Sequence, residues 1–126
     1  YHDIDTAACF VVVGRIDVPF DSIQSLKNAL SHVGKSYDYY YLPDDKEIYC
    51  SELVQISYVT GDGELIFSTI PMTFRNREGE IPEFWVKHYA KKGIAIPEGE
   101  PGTNPGELSR RKEIKIIGRL VVPKQR

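Results

Sequence analysis

Cysteine and long apolar runs are scarce in this sequence, and their scarcity excludes several classes of protein. Only two cysteines, Cys9 and Cys50, occur among 126 residues, which is too few for the disulfide framework of a small secreted scaffold. No apolar run approaches the roughly 20 residues that a membrane-spanning helix needs. The net charge of −2 supplies no basic surface of the kind that nucleic-acid binders carry. We therefore expect neither a membrane span nor a nucleic-acid partner.

Motifs that hold common cofactors are also absent. The sequence has no glycine-rich phosphate loop, no dinucleotide fingerprint and no pair of metal ligands at helical spacing. His2, Asp3 and Asp5 resemble a loose metal cluster, but a frayed terminus without a further histidine or cysteine nearby is a poor metal site. We therefore predict no cofactor and no metal.

The length and the hydrophobic patterning predict a single α+β domain over residues 1–126. The apolar, β-branched run 7–13 predicts a strand buried on both faces, and Gly14 after it predicts a bulge or a close backbone approach. Within that run, Cys9 is expected to be a small buried thiol. A second β-branched strand is predicted over 114–122, interrupted by Gly118.

Three helices are predicted between these strands. Asp21 or Ser22 can cap the first, which runs to about residue 33 before Gly34 ends it. Its apolar residues recur at helical spacing and are expected to face the core. This apolar stripe consists of Ile23, Leu26, Leu30 and Val33.

The second predicted helix covers 50–58, after a polar, tyrosine-rich connection over 35–49. The third lies between Pro82 in its first turn and Gly93 past its end. Residues 65–70 fit either a short strand or a packed loop. The segment 97–107, rich in proline and glycine, is predicted to be a long surface loop.

Cys50 lies at the point where the second predicted helix begins. A thiol becomes a nucleophile when it ionises, and the unpaired N–H groups and dipole of a helix start favour the thiolate. Glu52 would oppose ionisation unless it points away along the helix. The alternative interpretation is that Cys50 only packs beneath the tyrosine-rich connection.

Two motifs around this cysteine carry a family resemblance. The run Gly34-Lys35-Ser36-Tyr37-Asp38 is followed by Tyr49-Cys50-Ser51-Glu52-Leu53-Val54, with Tyr58 beyond. This arrangement resembles the YaeF/YiiX group, a circularly permuted branch of the NlpC/P60 papain-like superfamily. The similarity continues more weakly at 102–106. The resemblance implies a papain-like fold.

The resemblance also implies roles for particular residues. Cys50 aligns with the nucleophile of the family, and Tyr37 aligns with a tyrosine that helps to hold the oxyanion or to orient substrate. A phenol donor suits that task, although Tyr37 could equally be a packed aromatic residue. Asp38, Ser51 and Glu52 also match the motif, and we expect Asp38 and Glu52 to order the loop and the helix.

The catalytic histidine of the permuted group has no counterpart in this sequence. That histidine lies upstream of the cysteine on a strand, whereas His2 is at the terminus, His32 lies near a helix end and His88 lies on a predicted helix. We therefore expect structural roles for these histidines. We also expect an N-terminal segment, carrying the base and its orienting partner, to be missing from this chain.

The leading hypothesis is a cysteine amidase or peptidase that acts on a small peptide or amide substrate. The resemblance suggests a peptidoglycan-derived peptide and therefore the cell envelope or periplasm, with lipid acyl groups as another option. One alternative is a non-catalytic binding module on a degenerate papain-like scaffold. Another is a glycan hydrolase, which would pair carboxylates across a cleft. The candidates for that pair are Asp44, Asp45, Glu47, Glu78 and Glu80.

Overall fold

The structure is a computed structural model that describes residues 8–44 and 46–123. The chain forms two compact units: one comprises the described residues up to Pro19 and from Gly106, and the other is Phe20–Pro105. Short helices alternate with two small antiparallel sheets, which confirms the predicted α+β class. The expectation of a single domain stays a prediction. None of the described helices is long and apolar enough to cross a membrane.

The first unit is built on a two-stranded antiparallel ribbon. Strand β1 (Ala8–Ile16) pairs with β4 (Ile114–Pro123). The register shifts between Val13 and Gly14, and a side chain at Gly14 would bring its Cβ to 2.7 Å from Ile114 Cγ2. The predicted irregularity at Gly14 is therefore confirmed, and so is the second strand.

The prediction that residues 7–13 form a strand buried on both faces is wrong for the described side chains. Phe10, Val11 and Val12 are all exposed. A β-branched run indicates an extended backbone, but burial of both faces requires further layers. In the described part of the chain, β1 pairs with β4 alone. The expected burial of Cys9 concerns a side chain outside those described.

In the second unit, helix α1 (Ser22–Leu30) begins as the sequence predicts but ends earlier. The Asp21 carboxylate accepts a hydrogen bond from the backbone N–H of Gln24 at 3.0 Å, which satisfies one of the unpaired donors of the first turn. A turn then leads to Gly34, whose φ of +95° suits a residue without a Cβ.

Helix α1 turns its polar face, not its apolar stripe, toward the rest of its unit. Ser25 is buried and its hydroxyl accepts from the Val59 N–H at 3.2 Å, and Asn28 Nδ2 donates to the Ser57 carbonyl at 3.0 Å. The four residues of the apolar stripe are exposed by 58% to 78%. The prediction that this stripe faces the core is therefore wrong for the described residues.

Helices α2 (Cys50–Ser57) and α3 (Glu83–Lys92) lie where the sequence predicts them. Gly93 ends α3 in the left-handed conformation, with φ of 73°, which confirms its predicted role as a helix stop. The core of this unit is largely aromatic. Its buried hydrophobic side chains are Tyr49, Val59, Phe67, Phe74 and Tyr89.

The segment predicted to be a long surface loop is more ordered than expected. Residues Pro101–Gly102 form strand β3, which pairs with β2 (Ile70–Pro71), and helix α4 begins at Pro105 and ends at Ser109. Gly102 and Thr103 are buried. The residues 65–69 are mostly loop, tied down by an isolated bridge between Val59 and Leu65.

Exposure of the apolar stripe predicts an unequal response to two substitutions. In this 126-residue chain, Leu26→Gln should change the free energy of unfolding by less than about 0.5 kcal/mol, because the side chain stays in water. Phe67→Ala removes a side chain with 0% exposure and should cost about 3–5 kcal/mol. Urea unfolding measures both values. A cost for L26Q as large as that for F67A would contradict the observed exposure.

Candidate active site

Cys50 is the first residue of helix α2, and its free thiol is exposed. Tyr49 before it has an extended backbone and makes no side-chain capping hydrogen bond. The first amide groups of a helix have no partner within the helix, and their dipoles favour negative charge nearby. The position predicted for Cys50 is therefore confirmed, and it is a suitable place for a thiolate.

The Tyr37 hydroxyl lies at the Cys50 thiol, so the structure brings the two aligned residues together. Burial raises the pKa of Tyr37 to about 12, and proximity to Tyr41 and Cys50, with hydrogen bonds to both, adds to the effect. The phenol consequently stays protonated at neutral pH and remains a hydrogen-bond donor. Its side chain is also 41% exposed, so a substrate can reach it.

Backbone pairing explains why two motifs separated by ten loop residues meet. Tyr37 forms a parallel bridge with Ile48. The Asp38 N–H donates to the Ile48 carbonyl, and the Ile48 N–H donates to the Ser36 carbonyl, both at 3.0 Å. Since Ile48 is two residues before Cys50, this pairing sets the first motif beside the start of α2.

The Asp38 carboxylate shapes the segment 37–42, which we call the tyrosine loop. Asp38 is 2% exposed. Its two oxygens accept from the backbone N–H groups of Tyr40 and Leu42, each at 2.9 Å. These bonds offset the cost of burying the carboxylate. The expectation that Asp38 orders the loop agrees with this geometry.

Tyr41 and Tyr49 join this arrangement, although sequence reasoning assigns neither a role. Tyr41 has a positive φ of 51°, which is uncommon for a residue with a side chain, and its ring contacts that of Tyr49. Burial raises the pKa of Tyr49. The Tyr49 hydroxyl accepts from the Thr103 N–H at 3.2 Å, which ties the late segment to the start of α2. The sequence shows five tyrosines within 37–49, which indicates that an aromatic group lies near Cys50. It does not show which tyrosine hydroxyl contacts the thiol.

Ser51 and Glu52 occupy the first turn of α2 in different surroundings. Ser51 is buried, with 4% exposure. Glu52 lines a pocket of about 330 Å³ together with Tyr49, Gln55 and others, and Cys50 is not part of that lining. Because an α-helix turns about 100° per residue, Glu52 and Cys50, two positions apart, project from different sides of α2.

Neither described histidine is hydrogen-bonded to Cys50. His88 Nε2 lies 2.7 Å from the Tyr39 carbonyl oxygen. His32 Nδ1 is buried and has no hydrogen-bond partner. Among the described residues, Cys50 therefore has a phenol beside it but no imidazole base. His2, with Asp3 and Asp5, lies outside the described residues.

The carboxylates proposed for glycan hydrolysis are mostly turn residues. Asp44 accepts from the Lys46 N–H at 3.1 Å and also lines the pocket beside Glu52. The N–H groups of Glu78 and Glu80 both donate to the Asn76 side chain at 3.0 Å. Asp45 lies outside the described residues. Across residues 8–44 and 46–123, no group of three or more potential ligands could hold a metal ion.

The raised pKa of Tyr37 predicts a late step in an alkaline titration. Since its pKa in the folded protein, about 12, is above the ordinary tyrosine value of 10.0, the stability it contributes is present below pH 10 and is lost as the pH rises toward 12. Phenolate absorbance should show this step in the wild type but not in Tyr37→Phe. Tyr58→Phe, which removes a hydroxyl outside the site, should retain it. An identical titration of Y37F and wild type would contradict the assignment.

Comparison with known proteins places the chain in a family. Searches of curated proteins and of solved structures find no significant match. A family model described as "permuted papain-like amidase enzyme, YaeF/YiiX, C92 family" matches residues 11–118, which include every described site residue discussed above. The match agrees with the YaeF/YiiX resemblance and does not address the wider NlpC/P60 assignment. The chain belongs to the YaeF/YiiX family of permuted papain-like amidases.

Proposed function

We propose that this protein is a cysteine hydrolase that cleaves a small amide with Cys50 as its nucleophile. The main observation that supports this proposal is that the exposed Cys50 thiol lies at the first residue of α2 and is hydrogen-bonded to the Tyr37 hydroxyl. Membership of an amidase family supports the reaction class. The papain-like fold and its NlpC/P60-type permutation are part of this proposal.

In the proposed reaction, the Cys50 thiolate attacks the carbonyl carbon of the amide. A carbon–sulfur bond forms, and the carbonyl oxygen becomes an oxyanion. The carbon–nitrogen bond then breaks, and the amine leaves with the proton that the catalytic base took from the thiol. Water hydrolyses the thioester, which releases the carboxylic acid and regenerates the thiol. The Tyr37 hydroxyl and the first amide of α2 are the groups that donate to the oxyanion.

The substrate in this proposal is a small peptide or amide, with a peptidoglycan-derived peptide as the first choice. The Cys50 thiol is exposed, so a small amide can reach it from solution. Cell-wall chemistry would place the protein in the cell envelope.

We further propose that the base comes from a segment of the same protein that precedes residue 1. The absence of an imidazole at Cys50 in the described residues supports this. The apolar stripe of α1 supports it independently, because large exposed apolar patches mark surfaces that another element covers. A histidine on such a segment would complete the site.

A second candidate function is a non-catalytic binding module on the same scaffold. It is favoured by the same absence of a histidine at the thiol within the described residues, since a thiolate needs a base for turnover. The retained pair of Cys50 and Tyr37 favours the hydrolase, because a binding module has no need of a thiol at this position.

Alkylation by iodoacetamide tests the nucleophile. Cys50 should react faster than Cys9 at neutral pH, and Cys50→Ser should abolish that fast reaction. Tyr37→Phe should slow it about tenfold, since a donor to a charged group is lost from a partly exposed site. Y58F serves as the matched control and should react like wild type. Equal rates for the two cysteines would contradict an activated thiol.

Extension of the chain upstream tests the proposed source of the base. In the longer protein, Cys50 should alkylate faster than in the 126-residue chain, and a model amide should be hydrolysed. Leu26→Gln should now cost about 1.5–3 kcal/mol, because the side chain becomes buried. If the extension changes neither the alkylation rate nor the cost of L26Q, the proposal fails. Faster alkylation without hydrolysis would favour the binding module.

A further inference from the structure

The tyrosine loop is held from outside by two consecutive residues of helix α3. His88 Nε2 lies 2.7 Å from the Tyr39 carbonyl oxygen, and the Tyr89 hydroxyl donates to the Tyr40 carbonyl oxygen at 2.7 Å. Asp38 binds N–H groups of the same loop from within. Both N–H groups and carbonyl oxygens of the loop backbone are thus hydrogen-bonded to side chains.

The hydrogen bond between His88 and the Tyr39 carbonyl determines which nitrogen of the His88 ring carries a proton. A carbonyl oxygen only accepts hydrogen bonds, so Nε2 must carry a proton to bind the Tyr39 carbonyl. His88 therefore acts here as a donor through Nε2. A nitrogen engaged in this way is not available as a general base.

Stacking holds the His88 ring in the plane that this bond needs. The ring lies 4.6 Å from that of Tyr40 at 22°, and 5.8 Å from that of Phe84 at 10°. Phe84 precedes His88 by one helical turn, so α3 itself supplies one side of the stack. The Lys92 ammonium, 5.4 Å from the centroid of the Tyr40 ring, adds a cation–π contact.

The held loop braces the ring of Tyr37. Tyr37 and Tyr39 have ring centroids 4.9 Å apart, and the Tyr39 carbonyl is the atom that His88 binds. Pairing with Ile48 fixes the backbone of Tyr37, whereas the position of the Tyr37 side chain depends on its contact with the Tyr39 ring. A loop released at Tyr39 would leave the Tyr37 hydroxyl without its lateral support.

We propose that His88 is a positioning residue, which holds the tyrosine loop through the Tyr39 carbonyl and the Tyr40 ring and so keeps the Tyr37 hydroxyl at the Cys50 thiol. His88 has no role as the base in this arrangement. The inference concerns geometry alone, so it stands whether or not Cys50 proves to be the nucleophile of the proposed hydrolase.

Three variants separate the hydrogen bond from the ring. His88→Phe keeps a stacking ring but has no donor, and it should shift the late titration step of Tyr37 from about 12 toward lower pH. His88→Gln keeps an N–H donor and should restore the wild-type titration. His32→Gln changes a histidine in the turn that follows α1 and should leave the titration unchanged. Phenolate absorbance, taken as the difference from the matching Tyr37→Phe variant, reports the step in each case.

Alkylation in a double-variant cycle supplies the second readout. H88F should slow the alkylation of Cys50 about tenfold, as Y37F does, and the combined H88F/Y37F variant should be no slower than Y37F alone. Independent contributions would instead multiply. If H88F destabilises the fold too far, Tyr89→Phe removes the neighbouring donor to the same loop and replaces it in the cycle.

Two results would overturn the proposal. One is a late Tyr37 step that persists unchanged in H88F. The other is an effect of H88F on alkylation that is just as large in the Y37F background, because His88 would then act on Cys50 independently of Tyr37. Because Cys50 itself contributes to the raised pKa of Tyr37, the effect of H88F is also measured as the difference between Cys50→Ser and the double variant C50S/H88F. A shift that persists there supports the inference independently of the hydrolase proposal, and its absence contradicts it.

Discussion

A buried carboxylate with two backbone donors is the constraint on which the candidate site depends. Asp38 is almost fully buried and binds the N–H groups of Tyr40 and Leu42. An ionised group in such a place is tolerated only when hydrogen bonds replace water. The loop is therefore confined to backbone conformations that present these donors, and Tyr41, which lies between the two donor residues, has a positive φ.

The restricted conformation of the tyrosine loop also determines which groups lie next to the Cys50 thiol. Pairing of the Tyr37 segment with Ile48 sets the loop beside the start of α2, where Cys50 has the amide groups of a helix start below it and a protonated phenol beside it. Both features favour negative charge at that point. Glu52 leaves the helix toward the pocket, so the first turn carries a carboxylate without setting it against the thiol.

In helix α1 the residue pattern predicts the secondary structure correctly but predicts the burial of the apolar face wrongly. Its apolar residues have helical spacing, and the helix forms as predicted. However, α1 contacts the rest of its unit through the polar residues Ser25 and Asn28, whose side chains form hydrogen bonds with the backbone at Val59 and Ser57. Periodicity reports that one face is apolar. It does not report which element covers that face, and in the described residues the face stays exposed.

The sequence by itself determined the α+β class, the starts of the three long helices and the place of Cys50, because capping, periodicity and glycine stops are local properties. It also determined the family through the two motifs around Tyr37 and Cys50. Only the tertiary structure decided that Tyr37 contacts the thiol, that Asp38 is buried and that His88 binds the Tyr39 carbonyl. These contacts join residues distant along the chain or in an irregular loop, and no local pattern encodes which of several tyrosines or histidines will meet a given atom.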